Sequence, residues 1–359
     1  MSDFFHTFNA VRGIQAGRPC YIAMCPMRII PKIFVFNEDE VPPEIRAQRK
    51  LNKGRIPEMA NYLINNPKDY ILSSLTASID GETEFEPFSN KAGENNIGTF
   101  KISMDAQILI NDGQHRRAAI EAAVKNEAEL GHDHISVVFF LDNGLKKSQQ
   151  MFADLNKHAV RPSPSLSTLY DQREELSNIA RRVMNDVHIF SKLTETELTS
   201  ISNRSIKLFT LSSIKNANKA LLNKGKNDHI SEDEVQSAID YWKYISSNIR
   251  DWNLASERQV NSWELRETYI HAHGVLLHAL GILGSQIIHD KDSWTALDQL
   301  SSIDWSRNSK LWKGRAVVNG RITKSISNVK LTASQIKLQI GLKLSTDELE
   351  REKEFKANA

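Results

Sequence analysis

The chain has 359 residues, 40% of them hydrophobic and 25% charged, with a formal net charge of +2; this is an ordinary globular balance, with more length than one core usually supports. Two cysteines, Cys20 and Cys25 with four residues between them, are too few for a disulfide framework and lack the paired spacing of a zinc site, so buried thiols in a reducing compartment are expected. No basic start followed by an apolar stretch opens the chain, and the longest apolar segment, residues 274–283, is too short to span a bilayer, so a cytoplasmic protein with no membrane partner is expected.

In chain order, residues 21–24, 32–36, 99–102, 107–110 and 135–141 read as strands. Residues 43–53 and 57–64 read as helices, the second with Pro57 in its first turn. Residues 81–97 are polar and glycine-bearing and read as a loop. The apolar run ending at Ile110 is followed by Asn111-Asp112-Gly113-Gln114-His115-Arg116-Arg117 and then by Ala118, Ala119, Ile120, Ala122, Ala123 and Val124. That order predicts a strand, a glycine turn, a helix and a further strand ending at Leu141.

Pro162-Ser163-Pro164-Ser165 is the expected boundary, because two prolines block helix continuation and favour extended backbone. The predicted class is α+β: a mixed domain over 1–165, then a mainly helical domain over 166–359 with a basic segment at 305–343. In the second half Leu166, Leu169, Leu176, Ile179, Val183 and Val187 recur at helical intervals. Ser231 with Glu234 and Ser256 with Gln259 have capping-box form and predict two helix starts. Residues 269–288, apolar nearly all round, predict a central helix, while 346–359 are highly charged and predicted to fray. Residues 211–220 resemble a helix-turn-helix only in being a polar helix with two lysines. No internal repeat or heptad seam is present.

The glycine turn is the first candidate site. Gly113 allows a tight turn and close approach of a ligand. The free N–H groups of the following helix, with Gln114 and Arg116, form a candidate cradle for a phosphate or nucleotide. The alternative is structural: Asp112 caps the helix and Arg116 pairs with a neighbouring carboxylate. His115 is the one plausible general base and Asp112 a candidate holder of a divalent metal on a bound nucleotide, so a nucleotide with magnesium is the only cofactor in view. Asp112, His115 and Arg116 would then be the catalytic set of a nucleotide hydrolase or nicking enzyme. Asn156, just before the boundary, is either a further ligand to the anion or a helix C-terminal cap.

Charge provides the second candidate. Between Trp305 and Lys343 lie Arg307, Lys310, Lys313, Arg315, Arg321, Lys324, Lys330, Lys337 and Lys343, with no acidic residue among them. The rest of the chain has 37 basic residues against 44 acidic ones, so positive charge is concentrated and a polyanion is the expected partner. A second cluster, Arg46, Arg49, Lys50, Lys53 and Arg55, places its first four members on one helical face. Both are read as contacts to DNA phosphates, which position a protein on a duplex without reading bases. A solvated surface and an acidic protein partner are the alternatives. Trp305 and Trp312 are core indoles or stacking platforms for bases. His132 with His134 and His271 with His273 lack a second matching pair of ligands, so no metal site is predicted. No Gly-x-Ser-x-Gly elbow or Walker loop occurs.

Asp112-Gly113-Gln114-His115-Arg116 resembles the signature of DGQHR-domain proteins in the ParB/sulfiredoxin-like superfamily, whose Gly-x-x-Arg-x-x-Ala core is met by Gly113, Arg116 and Ala119. Members hold nucleotide phosphates at this turn. Sulfiredoxins place a cysteine directly after the glycine; Gln114 stands here, which excludes thiol-based sulfinic reduction at this position. Residues 8–18, 49–56, 151–157, 312–315 and 342–345 recur in the order seen in the DndB family of bacterial DNA phosphorothioation (DNA sulfur modification) systems. That resemblance implies a transcriptional regulator, a repressor of the modification genes. It also implies double-stranded operator or promoter DNA as partner, a homo-oligomer, and contact with other phosphorothioation proteins.

Overall fold

The computed structural model describes residues 4–34, 53–91, 93–143, 147–157, 162–225 and 228–357. The chain divides into two compact units, 1–160 and 161–359. The first is built on a seven-stranded sheet and the second from helices.

In the first unit β1 (Phe5–Gln15) and β2 (Arg18–Pro26) form an antiparallel hairpin, with Gln15 opposite Arg18 across a turn at Ala16 and Gly17. Both turn residues have positive φ, as the twist of a two-residue hairpin requires. A single helical turn, α1 (Ile30–Ile33), follows, and α2 (Ile56–Asn65) comes after the segment 35–52. Then come β3 (Leu75–Asp80), β4 (Thr83–Pro87), β5 (Ile97–Ser103), β6 (Gln107–Asp112), α3 (Gln114–Asn126), β7 (His134–Leu141) and α4 (Ser148–Lys157). The sheet order is β4-β5-β1-β2-β7-β3-β6, with β3 and β7 parallel and every other pair antiparallel.

Period-two alternation builds its core. Phe8, Ala10, Tyr21, Ala23, Phe100, Ile102, Val137 and Phe139 are buried together with Ala60 and Leu63 of α2 and Ile120 and Ala123 of α3. Tyr21 stacks on Phe100 with centroids 4.1 Å apart. Cys25 lies in this core, where burial pushes its thiol up to about 12. Cys20 and Cys25, five positions apart on one strand, face opposite sides of the sheet.

Two expectations in this unit are corrected. Of the strand expected over 32–36, Lys32 and Ile33 lie in the helical turn α1, Phe34 gives its carbonyl to Arg117 Nε at 3.0 Å, and 35–36 lie outside the described residues. The stretch 81–97 is not all loop, since β4 pairs with β5 and its Glu84 and Glu86 face outward toward Lys101. An edge strand with a polar outer face reads as loop in composition alone. β1 and β3 were not read as strands, although β1 alternates polar residues with buried Phe8 and Ala10, the period of a half-buried strand. The helix expected over 43–53 lies outside the described residues, apart from Lys53 in a short 3-10 turn (Lys53–Arg55).

The second unit contains α5 (Pro164–Tyr170), α6 (Glu175–Asp186) and α7 (His188–Leu193), followed by the short parallel pair β8 (Thr194–Glu195) and β9 (Phe209–Thr210). The helices α8 (Leu211–Leu222), α9 (Glu232–Ser247), α10 (Arg250–Ser256), α11 (Ser262–Thr268) and α12 (Gly274–Gly284) come next. A hairpin of β10 (Val317–Val318) and β11 (Arg321–Ile322) precedes α13 (Ile326–Gln339) and α14 (Thr346–Ala357). The Ser231 capping box opens α9 as expected. The one expected at Ser256 does not form: Ser256 ends α10, Arg258 turns at φ +60, and Gln259 donates to Glu257 instead of capping.

The central helix is α12, shorter than the expected 269–288, because His273 is extended and the helix starts at Gly274. It packs closely on α8: a Cβ on Gly281 would lie 2.3 Å from the Ala217 carbonyl oxygen. α8 is therefore an interior helix, burying Leu211, Ile214, Ala217 and Leu221, and its Lys215 is paired with Glu174. Residues from 346 do not fray within the described range. They form α14, whose Glu348 and Glu352 are buried against α13. Among the described residues no helix is long and apolar enough to cross a membrane.

Burial also makes this unit acid-sensitive. Desolvation, with the charges of Arg307, Lys324 and Arg266 adding to it, pushes His273 down to about 4 against the pull of its bond to the Arg266 carbonyl. Its neutral form is the native one, so its contribution is complete above about 6.5 and is lost as pH falls toward 4. Between pH 7 and 4.5 the unfolding free energy should drop by roughly 2–3 kcal/mol from this residue. Denaturant titrations of the chain and of His273→Gln at both pH values test this; an identical drop in the two proteins would assign the acid sensitivity elsewhere.

Candidate functional site

The strand β6 ends at Asp112, and Gly113 turns the chain into α3 with φ 104° and ψ 16°. That conformation excludes β-branched residues. The space over Gly113 is filled: a Cβ there would lie 2.4 Å from Leu75 Cδ2 and 3.0 Å from Arg116 Nη2. The glycine thus admits protein neighbours, whereas close ligand approach was expected. Arg116 reaches back across it, donating from Nη2 to Asp112 Oδ2 at 2.6 Å and to the Ser74 carbonyl at 3.1 Å. Asp112 does not cap the helix; its carboxylate is held by Arg116. Buried Gln114 sends its amide to the Ile110 carbonyl at 3.3 Å.

A cleft of about 170 Å³ opens at this turn, lined by Asn111, Asp112, Gly113, Gln114, His115 and Arg116, by Arg55 and Met59 beside and on α2, and by Phe152 on α4. Asp112, Gly113, Gln114, His115 and Arg116 are therefore gathered in one place, and Arg55 joins them from the set assigned to DNA. Two buried polar atoms of this group have no hydrogen-bond partner among the described residues: Arg116 Nε, a donor, and Asn111 Oδ1, an acceptor. Unpaired buried polar atoms are costly unless a ligand or water meets them. Asn111, Met59 and Phe152 carried no role in the sequence reading. Asn111 had one available signal, a polar residue closing an apolar strand; it is fully buried and donates from Nδ2 to Ser78 Oγ at 2.7 Å.

Chemically the turn offers one unpaired guanidinium N–H, on buried Arg116 Nε, and the exposed cation Arg55. A metal on Asp112 would have to displace the Arg116 pair. Among the described residues no group of three or more His, Cys, Asp or Glu is placed to hold a metal ion. Asn156 belongs to α4, but its side chain lies outside the described residues, as do that of Lys53 and the whole of Arg46, Arg49 and Lys50.

The basic segment of the second unit divides by burial. Lys310, Lys313, Arg321, Lys324, Lys330 and Lys343 are exposed, and none has an ion-pair partner among the described residues. Arg307 is half-buried and donates to the carbonyls of Glu267 and Gly320. Burial of its ammonium lowers the Lys324 pKa, and a Cβ on Gly274 would lie 3.6 Å from its Nζ, so the lysine is exposed along its length with its charge tucked inward. Arg315, expected on DNA, is buried, makes a two-pronged pair with Glu352 (Nη2 to Oε2 2.7 Å) and covers the Phe355 ring. Lys337 is fully buried on Glu348. Burial pushes the Glu348 carboxyl up, but bonds from Lys337 and the Ser345 N–H outweigh it and hold the pKa below the ordinary range. Trp305 and Trp312 are buried and stacked on each other at 5.3 Å, which makes them core indoles.

A sheet backed by helices, with a polar cleft at a strand-to-helix glycine turn, and a helical unit carrying exposed basic residues together define a mixed α/β protein of two units. Residues 8–343 match the family model DndB, described as DNA-sulfur modification-associated. The chain belongs to the DndB family. Comparisons with curated proteins and with solved structures found no match.

Proposed function

We propose that the chain is a DNA-binding transcriptional regulator, a repressor of genes for DNA phosphorothioate modification, with double-stranded operator DNA as its partner. Membership of a family associated with DNA sulfur modification supplies the biological setting. The observation that carries the reading is the exposed set Lys310, Lys313, Arg321, Lys330 and Lys343, which have no ion-pair partner among the described residues. The β10–β11 hairpin turns at Asn319 and Gly320, both at positive φ and both exposed, and Arg321 beside them is exposed too. Cations without acidic partners are available to release counterions from a duplex. A homo-oligomer would match a two-fold operator, and other phosphorothioation proteins are the further partners this setting suggests.

Five phosphate contacts predict an affinity loss of about 500-fold between 50 and 200 mM salt. Lys313→Ala with Arg321→Ala should reduce the slope of log affinity against log salt by about 2. A mobility-shift titration on the DNA upstream of the modification genes reads both quantities. An unchanged slope in the double variant would remove the hairpin from the interface.

A further inference from the structure

The β1–β2 hairpin outruns the sheet it belongs to. β5 pairs with β1 only as far as Val11, and β7 pairs with β2 only from Cys20. As strands, residues 12–15 and 18–19 therefore have only the hairpin itself to pair within, a ribbon about 10 Å long at roughly 3.3 Å per residue. Every residue from Gly13 to Pro19 is exposed. Ala16 and Gly17, at φ 50° and 73°, set the turn, and a Cβ on Gly17 would meet nothing within 4 Å.

Phe8, Ala10, Arg12 and Ile14 alternate onto the face of β1 that turns toward the core. Arg12 closes that core, covering the Phe85 ring at 4.9 Å and donating from Nη2 to the Asn95 carbonyl at 3.1 Å. Beyond it Ile14, 81% exposed, stands opposite exposed Pro19, so an apolar pair continues the core face into solvent. At the last rung Gln15 lies opposite Arg18, which is exposed and has no ion-pair partner among the described residues. Between Phe4 and Phe34 the chain has Arg12, Arg18, Arg28 and Lys32 and neither Asp nor Glu.

Cations without acidic neighbours fit a polyanion, and two apolar side chains bury too little surface to anchor the ribbon in a bilayer. Apolar wedges accompanied by arginine are what minor-groove proteins push between base steps. The major groove admits a two-stranded ribbon undistorted, but it is read by polar side chains, and this tip leads with an apolar pair. The minor groove, about 6 Å wide, is too narrow for two strands about 4.8 Å apart with their side chains. Entry therefore requires the groove to open and the duplex to bend.

We propose that the tip of the β1–β2 hairpin enters the minor groove of duplex DNA, with Ile14 and Pro19 wedged at a base step and Arg18 on the flanking backbone. The inference rests on the regulator reading and deepens it, because the protein then bends the DNA it binds. Pyrimidine–purine steps, which unstack most easily, are the steps such a wedge takes.

The test uses the full chain and a duplex from upstream of the modification genes, with a donor dye at one end and an acceptor at the other. Energy transfer should report a bend of at least about 20°, the low end for wedge-inserting proteins. Phasing against an intrinsically bent tract should show that it points toward the major groove. Ile14→Ser with Pro19→Ser alters exposed residues and no charge, so it should remove the bend and leave the slope of log affinity against log salt unchanged. Arg18→Ala should lower that slope by about 1. Salt-dependent binding without a bend, a bend toward the minor groove, or a bend that survives the double change overturns the proposal and leaves the regulator reading standing. No salt-dependent binding of the duplex removes both.

Discussion

Arg315→Ala should cost the helical unit about 3–5 kcal/mol, the range for removing one partner of a buried ion pair. The variant leaves Glu352, 4% exposed, without its guanidinium, and also empties the position over the Phe355 ring. All six tryptophans lie in residues 161–359, so tryptophan fluorescence during denaturant unfolding follows this unit alone. Replacing both partners, Arg315→Met with Glu352→Leu, should recover most of the loss, because apolar residues of similar volume often substitute for a buried pair without cost. DNA affinity of the folded Arg315→Ala protein should equal that of the parent. A variant of unchanged stability and weakened DNA binding would return Arg315 to the interface and contradict the burial described above.

Gly113→Val should be the most damaging single change in the first unit. Backbone strain at φ +104° for a β-branched residue and the collision with Leu75 Cδ2 together cost roughly 2–6 kcal/mol, about 1–3 from each. The two contributions separate in a double-mutant cycle. Gly113→Ala with Leu75→Ala should be less destabilising than the sum of the single changes, because removing the leucine relieves the collision and leaves only the strain. Hydrogen exchange across β3, β6 and α3 provides the readout, since this unit has no tryptophan. Strict additivity would mean that Leu75 does not limit the turn.

Much of the cleft was visible in the residues themselves. An apolar strand, a glycine and an alanine-rich helix predict the turn through local rules of backbone freedom and helix propensity, and Asp112 through Arg116 sit together because they are neighbours in the chain. Arg55, Met59 and Phe152 reach the same place from α2 and α4, and no short-range spacing connects them to it. Asn111 illustrates the difference. Its position at a strand end was plain, whereas its burial depends on α4 packing against that end of β6, where Met151 Sδ lies 3.8 Å from its Nδ2.

The basic segment shows most clearly what only tertiary structure decides. Counting from Trp305 to Lys343, the sequence by itself determines nine cations and no acid, and with it a concentration of positive charge. Which of those cations face solvent depends on α14, a segment that composition alone marks as a fraying tail. Packing against α13 brings Glu348 to Lys337 and Glu352 to Arg315, so two charges become internal ties and others remain on the surface. The reason is physical: propensity, capping and turn chemistry act over a few residues and can be read along the chain. Burial and ion pairing are set by which surfaces meet, so neutralising carboxylates can come from 11 or 37 residues away.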